Sequence, residues 1–197
     1  MLLYYGRKQG AAIHVVAGSV EGLYMKKSLL TVFTGKGKGK TTAALGMAVR
    51  ALGHDWTVCL IQFVKGTWKT GEWGALKLYG DRMVIHVKGM GFINSPEDID
   101  RYRETAREAW QLAKKTLNSP DYNMVILDEL TYLLNYEMVD KNDVCDALRN
   151  RRKDLHVVVT GRDAPDYLLE VADLVTEMRE VKHPMQSGVK AQRGIEF

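Results

Sequence analysis

Short apolar runs alternate with stretches of helical periodicity along most of the chain. Runs rich in Val, Ile and Leu are typical of buried strands. They predict six strands, at residues 29–33, 58–63, 83–87, 124–127, 156–160 and 174–178. Because strands that alternate with helices join through right-handed crossovers, the pattern predicts an α/β fold, with a mainly parallel central sheet and helices on both faces. Ligands bind such sheets at the carboxyl ends of the strands.

The clearest helix prediction lies between the third and fourth strands. It begins near Ser95-Pro96-Glu97, where a polar cap precedes a proline in the first turn. Apolar residues then recur at helical spacing and form one face: Ile99, Tyr102, Ala106, Trp110, Ala113 and Leu117. This stripe predicts a helix packed on the core.

Length and hydrophobic content predict one folded domain. The chain has 197 residues, of which 46% are hydrophobic, which is enough for one sizeable core and short for two. We expect residues 29–197 to form this domain. Residues 1–28 are a segment of uncertain structure, because their scattered glycines argue against one continuous helix.

The chain has the features of a cytoplasmic protein without a membrane partner. No apolar run approaches the roughly 20 residues that span a bilayer, and the N-terminus lacks the arrangement of a secretory signal. Cys59 falls within a predicted strand and Cys145 within a predicted helix. We therefore expect two reduced, buried thiols rather than a disulfide or a metal pair.

The net charge is a mild +4, from 28 Lys+Arg against 24 Asp+Glu. Three of the lysines lie in one glycine-rich segment, so a nucleic-acid partner is not needed to explain the charge. The basic run at residues 149–153 is interpreted as a solvated helix end, with nucleic-acid contact as the less favoured alternative.

The glycine-rich segment, Gly35-Lys36-Gly37-Lys38-Gly39-Lys40-Thr41, lies between the first strand and a helix-prone stretch. Glycines let backbone N–H groups turn toward an anion, and the start of a helix directs the positive end of its dipole at the same place. In this pattern Lys40 reaches phosphate oxygens and the Thr41 hydroxyl ligates Mg²⁺. The segment predicts a triphosphate site, and the alternative is a turn that binds nothing.

One position departs from the usual pattern, G-x-x-x-x-G-K-[ST]. Thr34 stands where that pattern has its first glycine. Because a β-branched residue resists a positive φ, we expect this loop to hold its triphosphate differently from an ordinary ATPase.

The fourth strand delivers two carboxylates, Asp128 and Glu129, to the edge of the sheet where the glycine-rich loop also lies. One carboxylate can hold Mg²⁺ or its waters, and the second can ligate metal or polarise a nucleophile. The alternative is an acidic pair that only caps the following helix. Together the loop and the acidic pair predict a nucleoside triphosphate bound with Mg²⁺, without naming the reaction.

Further segments accompany the loop and Arg50, at residues 62–68, 70–72, 88–92, 128–132, 160–162, 181–184 and 188–197. As an ordered set, they closely resemble the ATP:corrinoid adenosyltransferases of the cobalamin pathway, in the phosphate-loop type of that activity. The resemblance covers roughly residue 29 to the C-terminus. It implies the architecture of a P-loop NTPase, RecA-like, with about six strands.

The resemblance implies an unusual use of ATP. A reduced Co(I) corrinoid attacks the ribose 5′ carbon and expels the whole triphosphate, in adenosylcobalamin biosynthesis or salvage. The substrates would be ATP, with Mg²⁺ or Mn²⁺, and cobalamin, cobinamide or cobyrinic acid diamide. An electron-donating flavoprotein and a second copy in a homodimer are the implied protein partners, with no nucleic acid.

The resemblance also implies roles for individual residues. Lys40, Thr41 and Glu129 would be catalytic, and Thr41, Asp128 and Glu129 would hold the metal. The ATP-binding residues would be Thr34, Gly35, Lys36, Gly37, Lys38, Gly39, Lys40, Thr41, Thr42 and Arg50.

Two aromatic residues would contact the corrinoid. Phe92 matches an aromatic that helps displace the lower axial ligand, although Asn94 stands where relatives often have a tryptophan. Trp68, and with it Trp73, lies in a loop that either borders the corrinoid or packs against it.

Two rival functions remain open at this point. In a phosphate-loop kinase or hydrolase, Glu129 would activate an acceptor or water, and the products would be ADP and phosphate or a phosphorylated acceptor. A non-enzymatic carrier of nucleotide or corrinoid would bind the same ligands without forming a cobalt–carbon bond.

Overall fold

Six strands form one sheet in the computed structural model, which describes residues 27–66, 70–91, 93 and 99–196. Every neighbouring pair is parallel, and the order across the sheet is β3-β2-β4-β5-β1-β6. The strands are Leu30–Thr34 (β1), Val58–Gln62 (β2), Met83–Val87 (β3), Met124–Asp128 (β4), His156–Thr160 (β5) and Leu174–Glu177 (β6). All six predicted strands are confirmed, with ends that differ by at most one residue.

Helices cover both faces of the sheet, as predicted. One face carries α1 (Lys40–Leu52), α2 (Gly71–Leu76) and the 3₁₀ helix Lys77–Arg82. The other carries α3 (Ile99–Asn118), α4 (Leu130–Asn135), α5 (Lys141–Arg149) and α6 (Asp166–Val171), and a second 3₁₀ helix lies at Pro184–Ser187. Along β4, Val125 and Leu127 face the α3 side and Met124 and Ile126 the α1 side. Burial on both faces explains why the four inner strands are largely apolar runs, whereas the edge strand β3 is only partly buried and β6 is exposed along its length.

The strand order brings the phosphate loop and the acidic pair to the same edge of the sheet. β5 lies between β1, which leads into the loop, and β4, which ends at Asp128. Two strand spacings separate β1 from β4 by about 10 Å, enough for a ligand to lie between them. This arrangement of a parallel sheet is the RecA-like architecture of P-loop NTPases.

Helix α3 carries the stripe that its sequence predicts. Ala106, Trp110, Ala113 and Leu117 are buried, and Tyr102 packs against the same core. The predicted start at residues 95–97 lies outside the described residues. Within the described part of the chain, no helix is both long and apolar enough to cross a bilayer.

Both cysteines are buried and free, as predicted. Cys59 lies in the middle of β2, where burial raises the pKa of its thiol to about 12. Cys145 lies on the buried side of α5.

Two arginines at the amino end of the sheet, Arg151 and Arg152, contradict the interpretation of residues 149–153 as a solvated helix end. The side chain of Arg151 is 11% exposed, and its guanidinium donates hydrogen bonds to the carbonyl oxygens of Leu148 (2.8 Å), Leu155 (3.3 Å) and Ser28 (3.3 Å). Arg152 donates to the carbonyl oxygens of Ser119 and Tyr122. The interpretation of residues 149–153 as a solvated helix end is therefore wrong for these two arginines, because they satisfy backbone carbonyls where several segments meet.

Candidate active site

A cavity of about 1090 Å³ opens at the carboxyl end of the sheet. Its walls come from the phosphate loop, the start of α1, the strand ends and the C-terminal segment. Among the residues that line it are Lys38, Lys40, Thr41, Thr42, Lys65, Glu72, Glu129, Tyr132, Tyr136, Arg162 and Glu196. Pockets for one small molecule usually measure about 300 to 1,000 Å³, so this cavity lies at the upper end of that range.

Lys40 begins helix α1 and turns back into the phosphate loop. Its ammonium donates hydrogen bonds to the carbonyl oxygens of Gly35 (2.7 Å) and Gly37 (2.8 Å). The side chain is buried, and burial lowers the pKa of its ammonium, while the nearby Glu129 carboxylate opposes that shift. Gly39 precedes it with φ +111, a conformation that favours glycine. A buried cation is thus held at the start of a helix, the place suited to a phosphate group.

Thr34 does not adopt the positive φ that the sequence pattern assigns to its position. It remains in β1, paired with Glu177, and its hydroxyl accepts a hydrogen bond from the backbone N–H of Ala164 (3.0 Å). The turn falls one residue later, at Gly35, with φ +95. The backbone reason for expecting an unusual nucleotide orientation is therefore removed, because the left-handed position is occupied by glycine after all.

Two loop glycines are needed for contact with the segment that follows β6. A Cβ atom added at Gly35 would lie 2.5 Å from the carbonyl oxygen of Met178, and one added at Gly37 would lie 2.7 Å from it. The Gly37 N–H donates to that oxygen at 2.6 Å, and the Met178 N–H donates to the Thr34 carbonyl at 2.8 Å. Sequence reasoning assigned these glycines to phosphate alone, but they also let a neighbouring chain segment brace the loop.

The three loop lysines point to different places. Lys40 is buried within the loop, whereas Lys36 and Lys38 are exposed. Lys38 lines the large cavity and forms an ion pair with Glu196 (3.0 Å). Lys36 lines a second cavity of about 660 Å³, which Arg179 also borders.

Asp128 lies at the centre of a buried hydrogen-bond network. Its residue is 1% exposed. One carboxylate oxygen, Oδ1, accepts from the hydroxyls of Thr41 (2.8 Å) and Thr160 (2.7 Å), and Oδ2 accepts from Nε2 of Gln62 (3.0 Å). Three donors satisfy a carboxylate that would otherwise be costly to bury. The network ties Thr41, at the start of α1, to the ends of three strands.

Glu129 is placed differently from its neighbour. Its backbone has φ +61, and its N–H donates to the hydroxyl of Thr160 (2.9 Å). Its side chain faces the cavity, where burial and then the Asp128 carboxylate raise the pKa of Glu129. The side chain makes no capping hydrogen bond to α4. The alternative in which Glu129 serves as a helix cap therefore finds no support in the geometry.

Three residues join the site to which sequence reasoning gave no role, although they lie in segments that carry the family resemblance. Gln62 and Thr160 are the last residues of β2 and β5, and polar residues that end apolar strands were the available signal. Arg162 follows β5 after Gly161, which has φ +146. Its exposed side chain lines both cavities, and its guanidinium forms no hydrogen bond or ion pair with the part of the chain that the structure describes.

The remaining predicted site residues are not all brought together. Thr42 is exposed and lines the large cavity. Arg50 is exposed in the last turn of α1 and lines neither cavity. Ten residues of helix place it about 15 Å from Lys40, because each residue adds 1.5 Å. Phe92 and Trp68, the predicted corrinoid contacts, lie outside the described residues.

Comparison with known proteins gives concordant matches over nearly the whole chain. The model of the family described as "ATP:corrinoid adenosyltransferase BtuR/CobO/CobP" matches residues 26–197. A corrinoid adenosyltransferase of Escherichia coli K12 is 40% identical over 193 residues, which cover 98% of this chain and 97% of the relative. A corrinoid adenosyltransferase of a Sinorhizobium species is 42% identical over 174 residues, covering 87% and 81%.

Similarity to solved structures concerns the fold alone. The flagellar accessory protein FlaH of Methanocaldococcus jannaschii aligns with a TM-score of 0.52 at 12% identity. The alignment covers 77% of this chain and 71% of FlaH.

Proposed function

The chain belongs to the ATP:corrinoid adenosyltransferase BtuR/CobO/CobP family, and from that membership we propose that it transfers the 5′-deoxyadenosyl group of ATP to the Co(I) centre of a corrinoid. The transfer forms a cobalt–carbon bond, breaks the bond between C5′ and its oxygen, and releases triphosphate with the electron pair. The observation that carries the proposal is that Lys40, Thr41 and Glu129, the residues predicted to hold the triphosphate and its cation, face one cavity of about 1090 Å³.

The leaving group sets the main task of the protein. No water or acceptor hydroxyl has to be activated, so catalysis rests on holding the ribose in line and neutralising the triphosphate. Lys40 is the principal cation. Its ammonium now donates to two carbonyl oxygens, and it would donate to phosphate oxygens when the nucleotide is bound, because charged oxygens are stronger acceptors. Lys38 and Arg162, which line the same cavity, add positive charge on its open side.

The oxygen ligands at the base of the cavity fit a divalent cation such as Mg²⁺ or Mn²⁺. Asp128 holds the Thr41 hydroxyl at 2.8 Å, and Glu129 faces the cavity beside it. No group of three or more His, Cys, Asp and Glu side chains suited to a metal occurs within the described ranges. A site of one or two carboxylates and a hydroxyl suits Mg²⁺, which takes its other ligands from water and phosphate. When bound, the cation would neutralise charge on the phosphate oxygens.

The corrinoid is proposed to lie against the wall formed by α2 and α4. Tyr132 of α4 and Tyr136, which directly follows that helix, line the cavity, with ring centroids 4.5 Å apart. The backbone N–H of Ile93 donates to the Tyr132 hydroxyl at 3.0 Å. The residue next to Phe92 is thus anchored at this wall, which supports the assignment of Phe92 to the corrinoid, and the role of Trp68 stays a prediction from the sequence.

Finer features of the proposal follow from family membership. We expect a cytoplasmic homodimer whose corrinoid substrate is reduced by an electron-donating flavoprotein. The corrinoid would be cobalamin, cobinamide or cobyrinic acid diamide, and the role would lie in biosynthesis or salvage of adenosylcobalamin.

An anaerobic assay tests the reaction. Purified protein is given ATP, Mg²⁺ and a chemically reduced corrinoid, and both the adenosylated corrinoid and the phosphate product are identified. The proposal expects a cobalt–carbon bond and intact triphosphate in equal amounts. ADP and phosphate would instead indicate a kinase or hydrolase, and binding of both ligands without a new bond in a single turnover would indicate a carrier.

A further inference from the structure

Gln62 bridges the buried Asp128 and the indole of Trp73 in α2. It is the last residue of β2 and is 0% exposed. Its Nε2 donates to Oδ2 of Asp128 at 3.0 Å, and its Oε1 accepts from Nε1 of Trp73 at 2.9 Å. Trp73 belongs to α2, whose first residues, Gly71 and Glu72, line the large cavity.

The chemistry of the three groups leaves one arrangement of the amide. An indole N–H can only donate, and an ionised carboxylate can only accept. The side chain between them must therefore accept on one side and donate on the other, which a carboxamide does. Once Trp73 and Asp128 are in place, Gln62 cannot flip without losing both hydrogen bonds.

The bridge controls which way the Asp128 carboxylate faces. Gln62 holds Oδ2, while Oδ1 accepts from Thr41 and Thr160. Turning the carboxylate about its bond to Cβ would break these contacts together. The orientation of the Thr41 hydroxyl, at the start of α1, consequently depends on a contact made on the far side of Asp128.

We propose that Gln62 and Trp73 are positioning residues that align Asp128 with Thr41 and so set the affinity of the site for metal-bound nucleotide. This inference rests on the proposed function, in which Thr41 and Asp128 hold the divalent cation that accompanies ATP. Neither residue contacts the nucleotide in this scheme, because both act through Asp128.

Two variants and a matched control separate positioning from stability. Gln62→Met removes both hydrogen bonds, and Trp73→Phe removes one and keeps an aromatic ring. Trp110→Phe is the control, since the Trp110 indole donates to a carboxylate oxygen of Asp143 at 2.7 Å, in the contact between α3 and α5. Each variant undergoes thermal unfolding and binding measurements with ATP in Mg²⁺ and in EDTA, without corrinoid.

Gln62→Met loses the hydrogen bond to the charged Asp128 as well as the one from Trp73, and we expect it to weaken binding of Mg·ATP about tenfold. Trp73→Phe loses only the neutral hydrogen bond to Gln62, and we expect about threefold weaker binding. Affinity for ATP in EDTA should change less than about twofold in both, because the phosphate loop is untouched. In turnover, KM for ATP should rise while KM for the corrinoid stays the same. Trp110→Phe should lower Tm and leave both affinities unchanged.

The outcomes are distinguishable from those that test the proposed function. Equal loss of affinity in Mg²⁺ and EDTA, or an unchanged affinity in both variants, would overturn the positioning role even if adenosyl transfer is observed. Trp73→Phe decides the matter should Gln62→Met fail to fold. If the wild-type protein binds Mg·ATP but forms no adenosylated corrinoid, only the proposed function fails, and the binding measurements still decide the role of Gln62 and Trp73. Failure of the wild-type protein to bind Mg·ATP would overturn both.

Discussion

The two ends of the parallel sheet carry similar residues in opposite circumstances. At the amino end, Arg151 donates to three backbone carbonyl groups, and Asp173 accepts from Lys27 and from the Leu30 N–H. At the carboxyl end, Glu129 and Arg162 face a large cavity. Arg151 and Asp173 are satisfied by the backbone and by other charged groups, whereas Glu129 and Arg162 are turned toward space for a ligand.

The carboxyl groups report this difference through their pKa values. Hydrogen bonds from Lys27 and from the Leu30 N–H lower the pKa of Asp173, so folding favours its charged form. Burial and the adjacent Asp128 raise the pKa of Glu129, so folding disfavours its charged form. Asp173 therefore adds stability at neutral pH, whereas a cation bound beside Glu129 would favour the charged form of that carboxyl group. The two ends are specialised for stability and for binding, and variants of each should separate these properties.

Lys40→Met should have the largest effect on binding. We expect affinity for Mg·ATP and kcat/KM to fall at least about 100-fold, because the variant removes the buried cation proposed to contact the triphosphate. Titration calorimetry with ATP measures the first quantity and the anaerobic assay the second. Lys115→Met, which changes an exposed lysine at the end of α3, is the matched control. Unaltered ATP affinity in Lys40→Met would remove the loop from the proposed site.

Arg151→Met should produce the reverse pattern at the amino end. Three carbonyl groups lose their partner, so the free energy of unfolding should fall by about 2 kcal/mol. Denaturant unfolding measures this change. Arg149→Met is the control, because that side chain is 55% exposed and should contribute less than about 0.5 kcal/mol. ATP affinity should be unchanged in both variants, and a loss in Arg151→Met alone would mean that the two ends are coupled.

The sequence could predict features that depend on local residue patterns, but not those that depend on contacts between distant segments. The four inner strands follow from apolar runs, because strands buried on both faces need apolar residues at nearly every position. The edge strands β3 and β6 were also predicted from apolar runs, although β3 is only partly buried and β6 is exposed along its length. Asp128 and Glu129 could be identified as well, since they come directly after such a run. Arg151 could not, because its burial depends on carbonyl groups that belong to separate segments of the chain.

Within the phosphate loop, the pattern predicted a turn between β1 and α1 but not its geometry. Counting back from Gly39 assigned the turn to Thr34, whereas the positive φ falls at Gly35. The second role of Gly35 and Gly37 depends on Met178, which approaches only because β6 pairs with β1. Gln62 became recognisable once the strand order placed β2 beside β4. Contacts between distant segments are the part that local sequence patterns do not contain.

Arg162→Ala should weaken ATP binding without affecting stability. Its guanidinium lines the cavity and has no partner among the described residues, so the fold loses no contact there. We expect KM for ATP to rise about tenfold, the value of one charge-assisted hydrogen bond to phosphate. Arg103→Ala, at an exposed ion pair on α3, should change nothing measurable. An unchanged KM in Arg162→Ala would assign the open side of the cavity to the corrinoid rather than to phosphate.

Asp173→Asn should lower stability in a manner that depends on pH. Because the pKa of Asp173 is lowered by folding, its contribution is present above the ordinary pKa of an aspartate, about 3.9, and is lost as the pH falls through the lower folded value. We expect a difference from wild type of about 1 kcal/mol at pH 7 that shrinks below about pH 4. Unfolding curves at several pH values measure it. A difference that persists in acid would assign the effect to geometry instead of charge.

Glu196→Gln should have the smallest effect and the opposite sign, making ATP bind more tightly. The Glu196 carboxylate pairs with Lys38 at 3.0 Å on the rim of the cavity, and the Gln192 N–H and Lys38 together lower its pKa.

Lys38 must leave this carboxylate before it can contact a triphosphate, so removing the charge should strengthen binding of Mg·ATP by about two- to threefold. The gain should disappear at high salt, which screens the exposed pair in the wild-type protein. Lys38→Met completes a double-mutant cycle, because Glu196→Gln should have no further effect on affinity in that background. If Glu196→Gln instead weakens binding, the C-terminal segment would contribute to holding the nucleotide, and the rim of the cavity would belong with its base as part of the binding surface.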